Sequence, residues 1–148
     1  MTEYTNYSRY KRPESILVVI YTAGAQVLLL RRRQPAKFWQ SVTGALEWGE
    51  YPRQAASREV KEETGLSSEG LEDCHQVHTF EIYPLWRHRY APGTTQNRES
   101  VFRLCVPSPV CPVLDHSEHD AYAWFSKEEA LARVSSYTNR DAIRQWVP

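Results

Sequence analysis

The chain has 148 residues, with 18 Lys and Arg balancing 18 Asp and Glu, so its formal net charge is zero. That length implies one domain able to bury a core, and the balanced charge argues against a dedicated nucleic-acid binder or a membrane-surface protein. Cys74, Cys105 and Cys111 form an odd set without a Cys-x-x-Cys pair, and the polar start carries no secretory apolar run, so free thiols in the cytoplasm are expected.

Taken in chain order, residues 1–9 read as a flexible N-terminal extension of a single domain spanning 1–148. Ser15 to Tyr21 is a short apolar run rich in β-branched residues and predicts a buried strand. It is too short to cross a bilayer. Ala23-Gly24-Ala25 turns the chain, and Gln26 to Arg31 returns as a second strand. Phe38 to Val42 reads as extended and delivers the chain to Gly44. Pro52 suits a first helical turn and Gly65 a stop, which predicts a helix from about Tyr51 to Thr64. Further strands are expected over Asp73 to Tyr83, Arg87 to Tyr90 and Ser100 to Val106. Prolines make Pro107 to Pro112 a loop. Ala121 to Phe125 forms a last strand. Ser126 with Glu129 opens a helix by the capping-box pattern, and Asn139 to Val147 is amphipathic, with Ala142, Ile143 and Trp146 on one face. Strands interleaved with few helices suggest an α/β sandwich around a mixed sheet.

The helix after Gly44 concentrates negative charge. Glu59 and Glu63 stand four residues apart on one face, and Glu62 adds a third carboxylate within the turn. Like charges at that spacing destabilise an isolated helix by a few tenths of about 1 kcal/mol. A hard divalent cation removes the repulsion, since Mg2+ takes oxygen ligands from a few carboxylates and from substrate phosphates. A solvated helix face is the alternative, with Arg58 pairing Glu62 and Lys61 among the acids.

The glycines and Arg58 decide between them. Gly44, Glu50, Arg58, Glu59, Val60, Glu62, Glu63, Gly65 and Leu66 fill every fixed position of the Nudix box, and the chain resembles a Nudix hydrolase. The resemblance implies an α/β/α sandwich around a mixed β-sheet, carrying the box as a loop-helix-loop. It also implies a pyrophosphohydrolase that uses Mg2+, with Mn2+ as a possible substitute. Glu59, Glu62 and Glu63 take the metal-ligand positions, with the backbone of Gly44 as a further candidate. Arg58 orients these carboxylates through charge-assisted hydrogen bonds, and Glu47 and Glu50 brace the loop or add outer-sphere ligands.

A base or further ligand outside the box is expected at Glu118, in His116-Ser117-Glu118-His119-Asp120. His119 beside it reads as a surface histidine. Substrate binding also has to come from outside the box. Trp86 to Gly93 alternates cationic and aromatic residues, so a strand there sends Arg87 and Arg89 to one face and Trp86, His88 and Tyr90 to the other. Arg31-Arg32-Arg33 is split the same way; any member can face a polyphosphate, and Arg31 is taken as the candidate. Trp39, Trp86 and Tyr90 are candidates to stack on a planar ring, with the segment from Phe38 to Gln40 preferred.

Within the Nudix family a narrower resemblance runs from about Tyr10 to Val147. Lys11-Arg12-Pro13, Phe38 to Gly44, Arg87 to Gly93, Glu118-His119, and Asn139-Arg140 with Ala142-Ile143 are similar to the bacterial dihydroneopterin triphosphate diphosphatases. That group removes pyrophosphate from a pterin triphosphate in folate synthesis. The implied partner is a small-molecule triphosphate, with no nucleic acid and no membrane; oligomeric state is left open. The rival readings are hydrolysis of nucleoside triphosphates or dinucleoside polyphosphates, and a sensor of the same fold that no longer hydrolyses its ligand.

Overall fold

The computed structural model describes residues 9–148; the expected N-terminal extension lies, except for residue 9, outside the described residues. Seven strands form one mixed sheet: β1 (Glu14–Thr22), β2 (Gln26–Arg32), β3 (Trp39–Gln40), β4 (Val42–Ala45), β5 (Glu72–Glu81), β6 (Gln96–Val106) and β7 (His119–Ser126). The helices are α1 (Pro52–Thr64), α2 (Lys127–Arg133) and α3 (Tyr137–Trp146), with a 3-10 helix over Pro84–Arg89.

β1 lies at the centre. It runs parallel to β6 from Glu14↔Arg98 to Thr22↔Val106, antiparallel to β4 from Ser15↔Ala45 to Val18↔Val42, and meets β2 at Tyr21↔Val27. β2 pairs with β3 and β7, and β5 closes the far side against β6. The continuous apolar run of β1 has a direct cause, because both of its faces are covered. Ile16, Val18 and Ile20 pack with Leu28, Leu30 and Val42 beneath Ala55, Ala56 and Val60 of α1. Leu17, Val19 and Tyr21 face the other way, against Ala130 of α2 and Ala142 and Ile143 of α3. The sheet is thus sandwiched between α1 on one face and α2 with α3 on the other.

The helix ends follow their local chemistry. Pro52 occupies the first position of α1, and the Tyr51 amide donates to Gln54 Oε1 at 2.8 Å. Gly65 ends the helix in the left-handed region at φ 70°, donating its amide to the Lys61 carbonyl, a conformation that favours glycine. Ser126 accepts from the Glu129 amide at the start of α2, as the sequence predicted.

One predicted element is corrected. The segment from Arg87 to Tyr90 is no strand: it ends the 3-10 helix that Pro84 opens. Proline suits the first helical turn, with its fixed φ and missing amide proton, and the Trp86 amide donates to the Tyr83 carbonyl. The division of Arg87 and Arg89 from Trp86, His88 and Tyr90 by strand alternation therefore fails. Among the described residues, no helix is long and apolar enough to cross a membrane.

Candidate active site

The site is built where β4 hands the chain to α1. Arg12, just ahead of β1, donates from Nη1 to the carbonyls of Glu47 at 3.0 Å and Glu50 at 2.8 Å, fastening the connecting loop. Within it, the Glu47 amide donates to Glu50 Oε1 at 2.9 Å. Arg58 grips the same carboxylate with a fork, Nε to Oε2 and Nη2 to Oε1, both at 2.9 Å. Its Nη1 reaches Glu59 Oε1 at 2.8 Å and Glu62 Oε2 at 3.3 Å, and Nη2 also donates to the Ala45 carbonyl. One guanidinium thus ties the loop, β4 and the helix carboxylates together. Its hydrogen bonds hold the Glu50 carboxyl below its ordinary range.

Gly44 leaves room for Glu59. A Cβ at this position would lie inside 3.0 Å of Cγ, Cδ and Oε1 of Glu59. No side chain fits unless the carboxylate moves away. Here the glycine serves close approach rather than an unusual dihedral.

Glu63 is the least satisfied group of the site. It is 1% exposed, and neither carboxylate oxygen has a hydrogen-bond partner among the described residues. Burial first, then the charge of Glu59, holds its carboxyl well above the ordinary range. Burial raises Glu59 as well, against the pull of Arg58. A buried carboxylate without a donor is costly, and a divalent cation supplies what is missing. Ligand atoms of Glu63, Glu118 and His119 all lie within 4.8 Å of one another. Glu62 differs from its neighbours, with its side chain 55% exposed.

His119 corrects the sequence reading. It is not on the surface but 1% exposed, with Nε2 3.1 Å from Gln40 Nε2 and 3.7 Å from Glu63 Oε1. Burial pulls its pKa down to about 4, with Arg32 acting in the same direction, so the ring is neutral at pH 7. An amide nitrogen donating to Nε2 places the ring proton on Nδ1. The Nε2 lone pair is therefore taken by Gln40, and this nitrogen donates no proton to Glu63. Glu118, just before β7, is exposed at the mouth of the same cluster.

The proposed substrate contacts divide. Arg31 projects from β2 in register with Trp39 and Ala121, away from α1, and pairs with Asp120 at 2.8 Å. Its neighbour Arg32 is the one that acts electrostatically on Glu63 and His119. Arg87 is committed to its own turn, with Nε donating to the Ile82 carbonyl at 3.0 Å. Arg89 is exposed, and its carbonyl accepts from the Lys11 amide at 2.8 Å. Burial, then the charges of Arg89 and Arg32, hold the Lys11 ammonium below its ordinary range, while Glu118 and Glu59 pull the other way. Lys11 and Arg32 thus lie within electrostatic reach of the acidic cluster, with Arg89 beside Lys11. The sequence reading left Arg32 open but took Arg31 and did not select Lys11, because only the tertiary fold brings them there.

The aromatic candidates are likewise distinct. Trp39 is half-buried, edge-on to Phe125 at 5.4 Å, on the α2 and α3 face of the sheet. Tyr90 is 9% exposed, with Lys11 Nζ 5.9 Å from its ring centroid. Trp86 leans on Tyr83 in the 3-10 helix. Asn139 of α3 closes the segment between β3 and β4: its Oδ1 accepts from the Ser41 amide at 2.8 Å and its Nδ2 donates to Ser41 Oγ at 2.9 Å.

Residues 11–147 match the family model of the NUDIX domain. The chain belongs to the Nudix family. This Nudix hydrolase is 49% identical over 143 residues to the dihydroneopterin triphosphate diphosphatase of Escherichia coli strain K12, covering 93% of this chain and 94% of that one. The enzyme of the same description from Haemophilus influenzae is 40% identical over 144 residues, covering 94% and 90%. The structure of the E. coli dihydroneopterin triphosphate pyrophosphohydrolase superposes with a TM-score of 0.85 at 49% identity, covering 93% of this chain and 97% of that one. Nudix hydrolases generally use a divalent metal, and the orphaned oxygens of Glu63 beside Glu59 and Glu118 fit that donor chemistry.

Proposed function

We propose that this Nudix hydrolase removes pyrophosphate from dihydroneopterin triphosphate, leaving the monophosphate, with Mg2+ as its metal. The observation that carries the reading is 49% identity across 93% of the chain to an enzyme of that description. The site geometry supports it. Glu59, Glu62, Glu63 and Glu118 are the residues that would hold the ion. When bound, it neutralises phosphate charge and acidifies water. Arg58 bridges Glu59 and Glu62 through one nitrogen, with Glu59 packed against Gly44. Neutral His119 packs beside Glu63 and leaves the pocket without a further positive charge. Lys11, Arg32 and Arg89 supply the cations that attract a triphosphate to the acidic cluster. Arg31 and Arg87, engaged with Asp120 and the Ile82 carbonyl, fit outer roles better than phosphate contact.

The test is a product assay on the purified protein with Mg2+. It compares dihydroneopterin triphosphate with dATP, dGTP and a diadenosine polyphosphate by kcat/KM and identifies pyrophosphate directly. A strong preference for the pterin with pyrophosphate released is the expected result. Equal or better turnover of nucleotides discards the pterin assignment and keeps the hydrolase chemistry.

A further inference from the structure

Glu99 is a buried carboxylate that the metal site does not use. It sits on β6, 6% exposed, in register with Ser15 of β1 and His78 of β5. His78 Nδ1 stands 3.5 Å from its Oε1, an ion contact. Neither that oxygen nor His78 Nδ1 has a hydrogen-bond partner among the described residues. A solely structural carboxylate at this depth would be expected to accept hydrogen bonds.

Register fixes where the group points. Leu17, Val101 and Thr43 lie side by side on the α2 and α3 face, and two residues along each strand, a full alternation, Ser15, Glu99 and Ala45 lie beside them on that same face. Asn97, also buried, shares it and donates from Nδ2 to Ser15 Oγ at 2.8 Å. Ser15, Thr43, Ala45, His78 and Phe80 around the carboxylate are only half-buried, so α3 does not seal this end of the sheet. Ala45 follows Gly44, where Glu59 packs. Two strand spacings, about 10 Å, separate the backbone of Ala45 from that of Glu99. A planar ring on this floor can therefore carry its phosphates round β4 to the acidic cluster.

We propose that Glu99 is the specificity residue for the ring, its carboxylate accepting from the adjacent ring N–H and exocyclic amino group of a 2-amino-4-oxopyrimidine edge. Pterins and guanine share that edge; adenine, cytosine and hypoxanthine lack the paired donors. A carboxylate is the acceptor-only group that matches two parallel donors. His78, paired across the strands, is a positioning residue that fixes the carboxylate in plane. This proposal deepens the pterin reading and names the group that would select the ring.

The experiment compares GTP with ITP, which differ only in the 2-amino group, by calorimetric titration in Ca2+, alongside the KM of dihydroneopterin triphosphate in Mg2+. Wild type is expected to bind GTP about tenfold to a hundredfold more tightly than ITP, the scale of a charge-assisted hydrogen bond. Glu99→Gln is expected to bring the ratio to about one, weaken GTP much more than ITP, which keeps only the ring N–H contact, and raise the KM for the pterin by a similar factor. A wild-type ratio near one, no affinity for either nucleotide, or a ratio preserved in Glu99→Gln overturns the proposal. If Glu99→Gln does not fold, Glu99→Asp, which retracts the carboxylate by one methylene, is expected to lower the ratio, and an unchanged ratio overturns it. Failure of the pterin reading is separate: it appears as poor wild-type turnover of dihydroneopterin triphosphate while the GTP preference and its loss in Glu99→Gln persist.

Discussion

Arg58 and Glu50 meet through a two-point fork, Nε to Oε2 and Nη2 to Oε1, each at 2.9 Å. The pair is largely shielded, with the side chains 24% and 13% exposed, and the same guanidinium continues to Glu59. Lysine has no planar fork and cannot hold both carboxylates. Arg58→Lys is expected to lower kcat/KM by at least about tenfold and to cost roughly 1.5–3 kcal/mol, the range for hydrogen bonds to charged groups. Steady-state kinetics and urea unfolding check the two numbers.

Gly44 and Glu59 give a sharper separation of activity from stability. Alanine at this position forces the Glu59 carboxylate off β4, while the backbone conformation remains ordinary. Gly44→Ala is expected to fold with nearly wild-type stability and to lose about a hundredfold in kcat, the scale of a 1 Å misplacement. Circular dichroism beside a turnover assay decides it; equal loss of both would point to a folding defect instead.

Glu63→Gln is expected to reduce turnover by about a hundredfold or more, the scale of losing one electrostatic catalytic group. In the metal-free protein the same change relieves a buried carboxylate without donors. Thermal unfolding in chelator should therefore show the variant at least as stable as wild type. Added Mg2+ should raise the melting temperature of wild type and leave that of Glu63→Gln much less affected.

The His78–Glu99 pair sets a pH dependence of stability. The 3.5 Å contact with the Glu99 carboxylate first, with Asp141 of α3 adding a smaller pull, raises the His78 pKa above its ordinary 6.5. A histidine raised on folding contributes stability fully below about pH 6.5, and that contribution is lost as pH rises through the folded value. The stability difference between wild type and His78→Gln should accordingly be largest near pH 6 and shrink toward pH 9. Denaturant titrations across that range test it; a difference that grows with pH would reverse the assignment.

Asn139 binds both polar groups of Ser41, and both residues are buried. Asn139→Ala orphans the Ser41 amide and is expected to cost about 1–3 kcal/mol. Ser41→Ala keeps that backbone bond and should cost less. The order of the two unfolding midpoints is the readout.

The acidic helix was legible because its meaning lies in local spacing: Glu59, Glu62 and Glu63 need only a helical period, and Gly44, Pro52 and Gly65 punctuate it. The buried strands β1 and β2 were legible for the same reason. His119 was not, since its polar neighbours describe a turn, and only pairing with Arg32 across the sheet carries it under α1. Arg87 and Arg89 misled because alternation from Trp86 to Tyr90 cannot outweigh a proline that starts a helical turn. Asn97 and Glu99 escaped notice because polar residues at the start of β6 read as loop, and burial of a polar strand end is a property of the sheet. Lys11 and Arg32 are brought to the site by chain segments distant in sequence.

Arg12 clasps the loop from Glu47 to Glu50 by hydrogen bonds to two of its main-chain carbonyls. Those contacts do not depend on what side chains the loop carries. Glu47 can thus change character without cutting these bonds, which leaves that position open to evolutionary or engineered variation beside the reaction centre. Trp48, by contrast, is held by its indole, which donates to the Tyr10 carbonyl at 2.8 Å and lies with its ring 5.9 Å from the Arg12 guanidinium. Arg12 carries the opposite burden: a single change there, thirty-odd positions upstream, would cut both of these bonds whatever the loop's own sequence.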